Sequence, residues 1–198
     1  MTFEMVATTG CAIAPVVGEE VTTSPSRRLR GPDVLADPLV RELLAARLVG
    51  VLSTVEPDGS VHAVPLWVCD VGGAILTATF SRSRKVQNLE RDPRATLVVH
   101  DSRPGFEVCG ASIRGHVEIV RGAEAAPLVE RVHRRYLSAD GYELPAAREF
   151  LGGDDVALRF VPESAFTWDE RANPAAAALR DAGGALPLEP TTPASGST

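Results

Sequence analysis

The stretch LVGVLSTVEPDGSVHAVPLWVC, residues 48–69, predicts the centre of the fold. Its first part, Leu48–Val55, is an apolar run rich in branched side chains, which favours a β-strand. The turn-forming residues Glu56–Gly59 follow, and Val61–Cys69 is a second apolar segment that begins with alternation. Strands joined by a tight turn pair in the antiparallel sense, because parallel neighbours need a long crossover connection. We therefore predict an antiparallel hairpin here.

Further strands and helices flank this hairpin. Asp37 suits a helix cap and Pro38 the first helical position, and an apolar stripe at helical spacing follows in Leu39, Leu43, Leu44 and Leu48. After the hairpin we predict strands at Ala74–Phe80, Ala95–His100, Phe106–Val120, Val156–Val161 and Ala165–Trp168, and helices at Lys85–Arg91 and residues 123–137. Gly110 and Gly115 within the long strand indicate bulges or bends. The pattern predicts a mainly β (α+β) fold, a six- to seven-stranded antiparallel barrel with peripheral helices.

The composition divides the chain into one domain and two tails. Residues 33–170 carry the periodic apolar pattern and are long enough to bury a core. Residues 1–32 and 171–198 have few large apolar side chains, and such segments bury too little surface to offset the entropy of ordering. We predict a flexible N-terminal segment and a low-complexity C-terminal tail.

Several classes of protein are disfavoured by composition. No window approaches the roughly 20 apolar residues of a membrane span, and the first 15 residues lack the pattern of a secretory signal. The net charge of −6 disfavours a general nucleic-acid binder. Three cysteines without a CxxC pair make a disulfide scaffold unexpected. We expect a cytoplasmic protein that contacts neither membrane nor nucleic acid.

Motifs for covalent or metal-dependent hydrolysis are missing from the sequence. There is no HExxH zinc spacing and no Gly-x-Ser-x-Gly nucleophile elbow. A P-loop and a GxGxxG motif are also absent, so the common nucleotide sites are not indicated. We therefore predict neither a catalytic side-chain nucleophile nor a metal site.

The segment TATFSRSRKVQN, residues 77–88, has the features of a phosphate site. Residues 81–94 carry five basic and two acidic side chains, and they include Lys85, the single lysine of the chain. Ser81 or Ser83 can cap the short helix, whose first amides and nearby cations favour a bound anion. Asn88 is three residues after Lys85 and projects from the same helical face. The alternative is a solvated basic loop that only caps the helix.

An ordered set of segments spans about residues 37–170. Its members are the opening hairpin Val49–Trp67, Thr79–Lys85, Asn88-Leu89, Arg91–Arg94, Glu107–Glu118 with its two glycines, the Arg-Arg-Tyr-Leu137 helix end, Phe160–Glu163 and Trp168-Asp169. This ordered set resembles the pyridoxamine 5'-phosphate oxidase-like FMN-binding split β-barrel family, in its flavin/deazaflavin (F420)-dependent oxidoreductase branch. It implies a split barrel and a homodimer with cofactor sites at the subunit interface.

The resemblance also implies the cofactor and its contacts. The cofactor would be coenzyme F420 or FMN, and the Lys85 to Arg94 pattern favours F420. The implied phosphate contacts are Arg82, Ser83, Arg84 and Lys85, with Thr79 and Asn88 beside them. The implied ring contacts are Ser53, Thr54, Val64 and Pro65, with Trp168 at the ring edge and Arg114 reaching across from a partner chain. Trp168 and the strand residue Trp67 are otherwise explained by core packing.

These features lead to a functional hypothesis with two alternatives. The hypothesis is an oxidoreductase that moves a hydride between its cofactor and a small unsaturated or quinone-like organic substrate. The first alternative is a non-catalytic flavin-binding carrier or sensor. The second is a haem-binding or haem-degrading protein on the same barrel, for which the imidazole ligands available are His62, His100, His116 and His133.

Overall fold

The computed structural model describes residues 26–103, 107–151 and 153–184. Within these ranges the strands are β1 (Arg27–Arg30), β2 (Val49–Val55), β3 (Val61–Trp67), β4 (Cys69–Val71), β5 (Ala74–Phe80), β6 (Arg94–Arg103), β7 (Glu107–Val120) and β8 (Asp155–Asp169). The helices are α1 (Asp33–Ala36), α2 (Pro38–Ala45), α3 (Arg84–Arg91), α4 (Ala125–Tyr136), α5 (Ala139–Glu143), α6 (Pro145–Leu151) and α7 (Pro174–Asp181), with a 3-10 turn at Gly122–Glu124. None of the helices in these ranges has the length and apolar character needed to cross a membrane.

The strands form one curled antiparallel sheet in the order β3-β2-β6-β7-β8-β5-β4, and β1 pairs with β8. β3 and β4 are the two outermost strands in this order, yet only Val68 separates them in the sequence. A single bent segment therefore supplies both edge strands. Because the chain itself joins the two ends, the sheet must curl on itself. The predicted antiparallel split β-barrel is confirmed.

The bend at Val68 is held by Tyr136 at the end of α4. The Tyr136 hydroxyl accepts a 3.0 Å hydrogen bond from the Val68 amide and lies 2.9 Å from the Val68 carbonyl oxygen. It also lies 2.7 Å from the carbonyl oxygen of Leu48, and its ring stacks on Trp67 with centroids 5.0 Å apart. Trp67 therefore packs against Tyr136 at the bend that joins β3 to β4.

The core lies inside the curl and beneath α2. Alternate residues of successive strands point inward, among them the fully buried Leu52, Leu97, Ile113 and Leu158. The apolar face of α2 covers one side of this layer, as the leucine spacing predicts.

The predicted cap of α2 is confirmed and is buried. Asp37 accepts hydrogen bonds from the amides of Leu39 and Val40 at 2.9 and 3.2 Å, and its carboxylate lies 2.9 Å from Arg27 of β1. Asp37→Ala is expected to lower the free energy of unfolding by about 1–2 kcal/mol. Urea denaturation measures this loss, and Asn173→Ala at the exposed end of α7 should cost less. An equal or smaller loss for Asp37→Ala would contradict the assigned role.

The C-terminal strand corrects one prediction. Val156–Val161 and Ala165–Trp168 belong to one continuous strand, β8, because Pro162 sits at a β-bulge. In the β7–β8 register Gly115 pairs with Pro162 and Arg114 with Ser164, so Glu163 is the extra residue. A bulge tolerates proline, which lacks the amide that a regular ladder requires. The bulge expected at Gly115 is confirmed, whereas Gly110 lies in regular register opposite Trp168.

The structure adds elements that the sequence did not predict. β1 and α7 lie in the segments predicted to be tails, and α1, α5 and α6 are short helices without a long apolar period. β1 owes its conformation to pairing with β8, a contact about 135 residues away in sequence. Residues 1–25 and 185–198, and Phe106 of the predicted long strand, lie outside the described residues.

Candidate functional site

The segment predicted to bind phosphate forms a compact cluster of donors. Thr79 is the next-to-last residue of β5, Ser83 precedes α3 in extended conformation, and Lys85 is in the first turn of α3. The Lys85 ammonium donates a 2.8 Å hydrogen bond to the Thr79 hydroxyl, which lies 3.4 Å from the Ser83 hydroxyl. We call Thr79, Ser83 and Lys85 the cradle.

The electrostatics of the cradle suit an anion. Lys85 is partly buried, and this burial lowers the pKa of its ammonium. No carboxylate among the described residues forms an ion pair with Lys85, and the Ser83 side chain does not cap the first amides of α3. A partly desolvated cation beside hydroxyls and helix amides is stabilised when an anion such as phosphate binds.

The position of α3 is fixed by a buried contact with β2. The Asn88 side-chain amide donates a 3.1 Å hydrogen bond to the Thr54 hydroxyl, and both residues are 1% exposed. Arg91 adds a hydrogen bond to the carbonyl oxygen of Val55. Asn88 and Thr54, both predicted cofactor contacts, therefore use their side chains to hold the cradle helix against the sheet.

The two arginines of the segment differ in their contacts. Arg84 forms a 3.0 Å ion pair with Glu56 at the hairpin turn, so part of its charge is already neutralised. Arg82 is exposed, and within the described residues no acidic side chain forms an ion pair with it. Arg82 is therefore the arginine better placed to meet an added anion.

A polar row crosses the outer surface of the sheet through β2, β6 and β7. Ser53, Thr96 and Arg114 are successive partners across β2, β6 and β7, and they line a depression of about 380 Å³. The structure thus places Ser53 and Arg114 of one chain in the same row, whereas the resemblance implies that Arg114 reaches the cofactor from a partner chain. Thr96 was missed, because only the strand register places it in this row.

Other predicted ring contacts are spread over the barrel. Val64 and Pro65 are neighbours in β3, so their side chains point to opposite faces and only their backbone can follow one ring. Trp168 lies on the outer face, packs against Gly110 and has its ring 6.1 Å from that of Phe166. Ser164 of β8 pairs with Arg114, and Trp168 is four residues further along the same strand. Trp168 is therefore about 13 Å from Ser164. Within one chain Trp168 does not join the cradle.

Comparisons with known proteins add family information to this geometry. The family model described as Pyridoxamine 5'-phosphate oxidase matches residues 36–169. A search of curated proteins finds no significant match.

Three solved structures share the fold. A conserved hypothetical protein from Mycobacterium tuberculosis is 27% identical, with a TM-score of 0.57 over 79% of this chain and 92% of that chain. A structure described as an F420 reductase is 26% identical, with a TM-score of 0.50 over 63% of this chain and 94% of that chain. A haem storage protein from Vibrio cholerae is 14% identical, with a TM-score of 0.54 over 67% and 94% of the respective chains, a similarity of fold.

Proposed function

Because the chain belongs to the pyridoxamine 5'-phosphate oxidase family, we propose that it is an oxidoreductase that uses coenzyme F420 or FMN. The reaction is transfer of a hydride to or from a small unsaturated or quinone-like organic substrate. The observation that carries this proposal is the cradle, in which Lys85 has no acidic partner among the described residues. The similarity to a structure described as an F420 reductase favours F420 over FMN.

The donors of the cradle fit the phosphate group that both cofactors carry. After the bond to Thr79, the Lys85 ammonium has two N–H groups left, and the Ser83 hydroxyl stands next to them. Charge-assisted hydrogen bonds to phosphate are stronger than neutral ones, so Lys85 is the main anchor. Arg82 is the second cation that can approach the same group.

The chain's residues bind and orient, whereas a bound cofactor supplies the hydride chemistry. Lys85 and Ser83 fix the anionic end, and the buried Asn88–Thr54 bond fixes α3 relative to β2. Ser53, Val64 and Pro65 offer backbone groups beside a planar ring. Covering that ring excludes water, which protects a reduced cofactor from side reactions.

A homodimer would complete this site. The outer face of the sheet exposes large apolar side chains, with Val49, Val61 and Phe166 at 47%, 67% and 40% exposure. We propose that two copies bury this face against each other, which would carry Arg114 and Trp168 towards the second chain's cofactor. Light scattering should then give twice the 21.0 kDa chain mass.

Turnover tests the proposal directly. The purified protein is mixed with reduced F420 or reduced FMN and menadione, and cofactor oxidation is followed by absorbance under anaerobic conditions. We expect a rate above that of the same mixture without protein. Binding without turnover with any acceptor of a quinone and enone panel would indicate a carrier and overturn the proposed reaction. Failure to bind either cofactor would overturn the cofactor assignment.

A further inference from the structure

A second cavity lies beside the loop of residues 81–83, which joins β5 to α3. It takes no part in the proposed reaction. It has a volume of about 630 Å³ and is enclosed by α4, α5, α6 and the start of β8. This volume is in the range of sites for small organic molecules. The cavity residue nearest this loop is Asp154. Its backbone carbonyl oxygen accepts a 2.8 Å hydrogen bond from the Ser81 amide, and its carboxylate accepts one from the Ser81 hydroxyl.

One buried polar side chain on the cavity wall has no partner. His133 is 6% exposed and lines the cavity, yet no described residue forms a hydrogen bond with its ring. Trp67 meets the imidazole in a T-shaped contact at 6.1 Å, which fixes its position. Burial lowers the pKa of His133, so the ring is neutral near pH 7 and one of its nitrogens is an acceptor. An imidazole nitrogen on the cavity wall without a protein partner can accept a hydrogen bond from a ligand there.

The charges around the cavity select a cation. Its lining includes four carboxylates and, among the described residues, neither lysine nor arginine. Two of the carboxylates, Glu130 and Glu143, are paired with Arg134 at 2.6 and 3.6 Å. Asp155 has no hydrogen-bond donor among the described residues and lies close enough to His133 for the two groups to influence each other's pKa. Asp155 is therefore the carboxylate available to a ligand.

Apart from Tyr142 and two glycines, the remaining wall is aliphatic. Ala126, Val129, Ala147 and Leu151 contribute aliphatic surface. An occupant must therefore combine a cationic group with an apolar body, because either part alone would leave half of the wall unmatched.

We propose that this cavity binds a small organic ammonium ion with an apolar body, its N–H groups donated to Asp155 and His133. This site is separate from the cradle and does not depend on the proposed cofactor. It requires no chemical step, since only hydrogen bonds and apolar contacts form.

Benzylammonium is a suitable probe, followed through the ring signals of the four histidines by NMR. We expect saturable shifts of the His133 signals, with those of His62, His100 and His116 as internal controls. Benzyl alcohol and benzoate, which have the same ring without the positive charge, should bind at least about tenfold more weakly. No saturable shift of His133, or equal binding of the three compounds, would overturn the proposal.

Variants separate the site from a general charge effect. Asp155→Asn should weaken benzylammonium binding about tenfold, whereas Glu118→Gln, on the exposed face of β7, should leave it unchanged. Ala147→Trp, at a half-buried position of α6 on the cavity wall, fills the cavity without changing charge and should abolish binding even if Asp155→Asn folds poorly. Equal effects of Asp155→Asn and Glu118→Gln, or full binding by Ala147→Trp, would contradict the assignment.

Discussion

Replacing Lys85 with methionine should weaken binding of F420 or FMN about 10- to 100-fold, the amount expected for loss of a charge-assisted hydrogen bond to phosphate. Methionine keeps most of the aliphatic stem, so the packing of α3 is retained. Because burial lowers the Lys85 pKa, the folded state disfavours the ammonium, and this cost is present at neutral pH. The free energy of unfolding should therefore stay within about 1 kcal/mol of wild type or rise.

The split between affinity and stability distinguishes a binding role from a structural one. Fluorescence titration gives the affinity, and urea denaturation of the same preparation gives the stability. Arg121→Met removes a cation that is paired with Glu90 on the surface and should alter neither quantity appreciably. Unchanged cofactor affinity in Lys85→Met, or a loss fully explained by unfolding, would refute the role of Lys85.

Substitution of Gly115 by alanine should lower the free energy of unfolding by about 3 kcal/mol or more. A Cβ at this position would lie 2.0 Å from the carbonyl oxygen of Val161 and 2.9 Å from its carbonyl carbon. Both atoms belong to backbone, so no change of rotamer relieves the clash. The bulge that pairs β7 with β8 would have to open, and with it the longest strand pair of the sheet.

Gly153→Ala is the matched control for this substitution. The nearest atom to a Cβ at Gly153 is a Phe80 ring carbon at 3.9 Å, which is ordinary contact. Urea denaturation should show a change of less than about 0.5 kcal/mol for this variant. Similar stability losses for the two alanine variants would show that crowding at the bulge is not the cause.

The central part of the fold follows from local sequence pattern. The hairpin of β2 and β3 combines branched apolar runs with the turn residues Glu56–Gly59, and both signals lie within one continuous stretch. β1 has the polar sequence Arg-Arg-Leu-Arg and becomes a strand only because β8 supplies its hydrogen bonds. Pro162 led to the prediction of two separate strands in place of β8. The bulge that accommodates this proline depends on its pairing with Gly115, which is distant in the sequence.

The site shows the same division between local and distant information. Thr79, Ser83 and Lys85 lie within seven consecutive residues, so one turn between a strand and a helix brings them together. The pairing of Arg84 with Glu56 joins residues 28 positions apart and could not be read from the basic run. Trp168 lies on the outer face of the sheet, and in the proposed dimer its distance from a cofactor would depend on how the two chains assemble.

The proposed function depends most directly on contact between Lys85 and the anionic end of a planar redox cofactor. Because Lys85 is the single lysine, labelling with lysine enriched in ¹⁵N at Nζ gives one side-chain ammonium signal for the chain. Saturating F420 or FMN should shift this signal and raise the Lys85 pKa, since a nearby anion stabilises the ammonium. An unchanged signal and pKa with the cofactor fully bound would contradict the proposed contact.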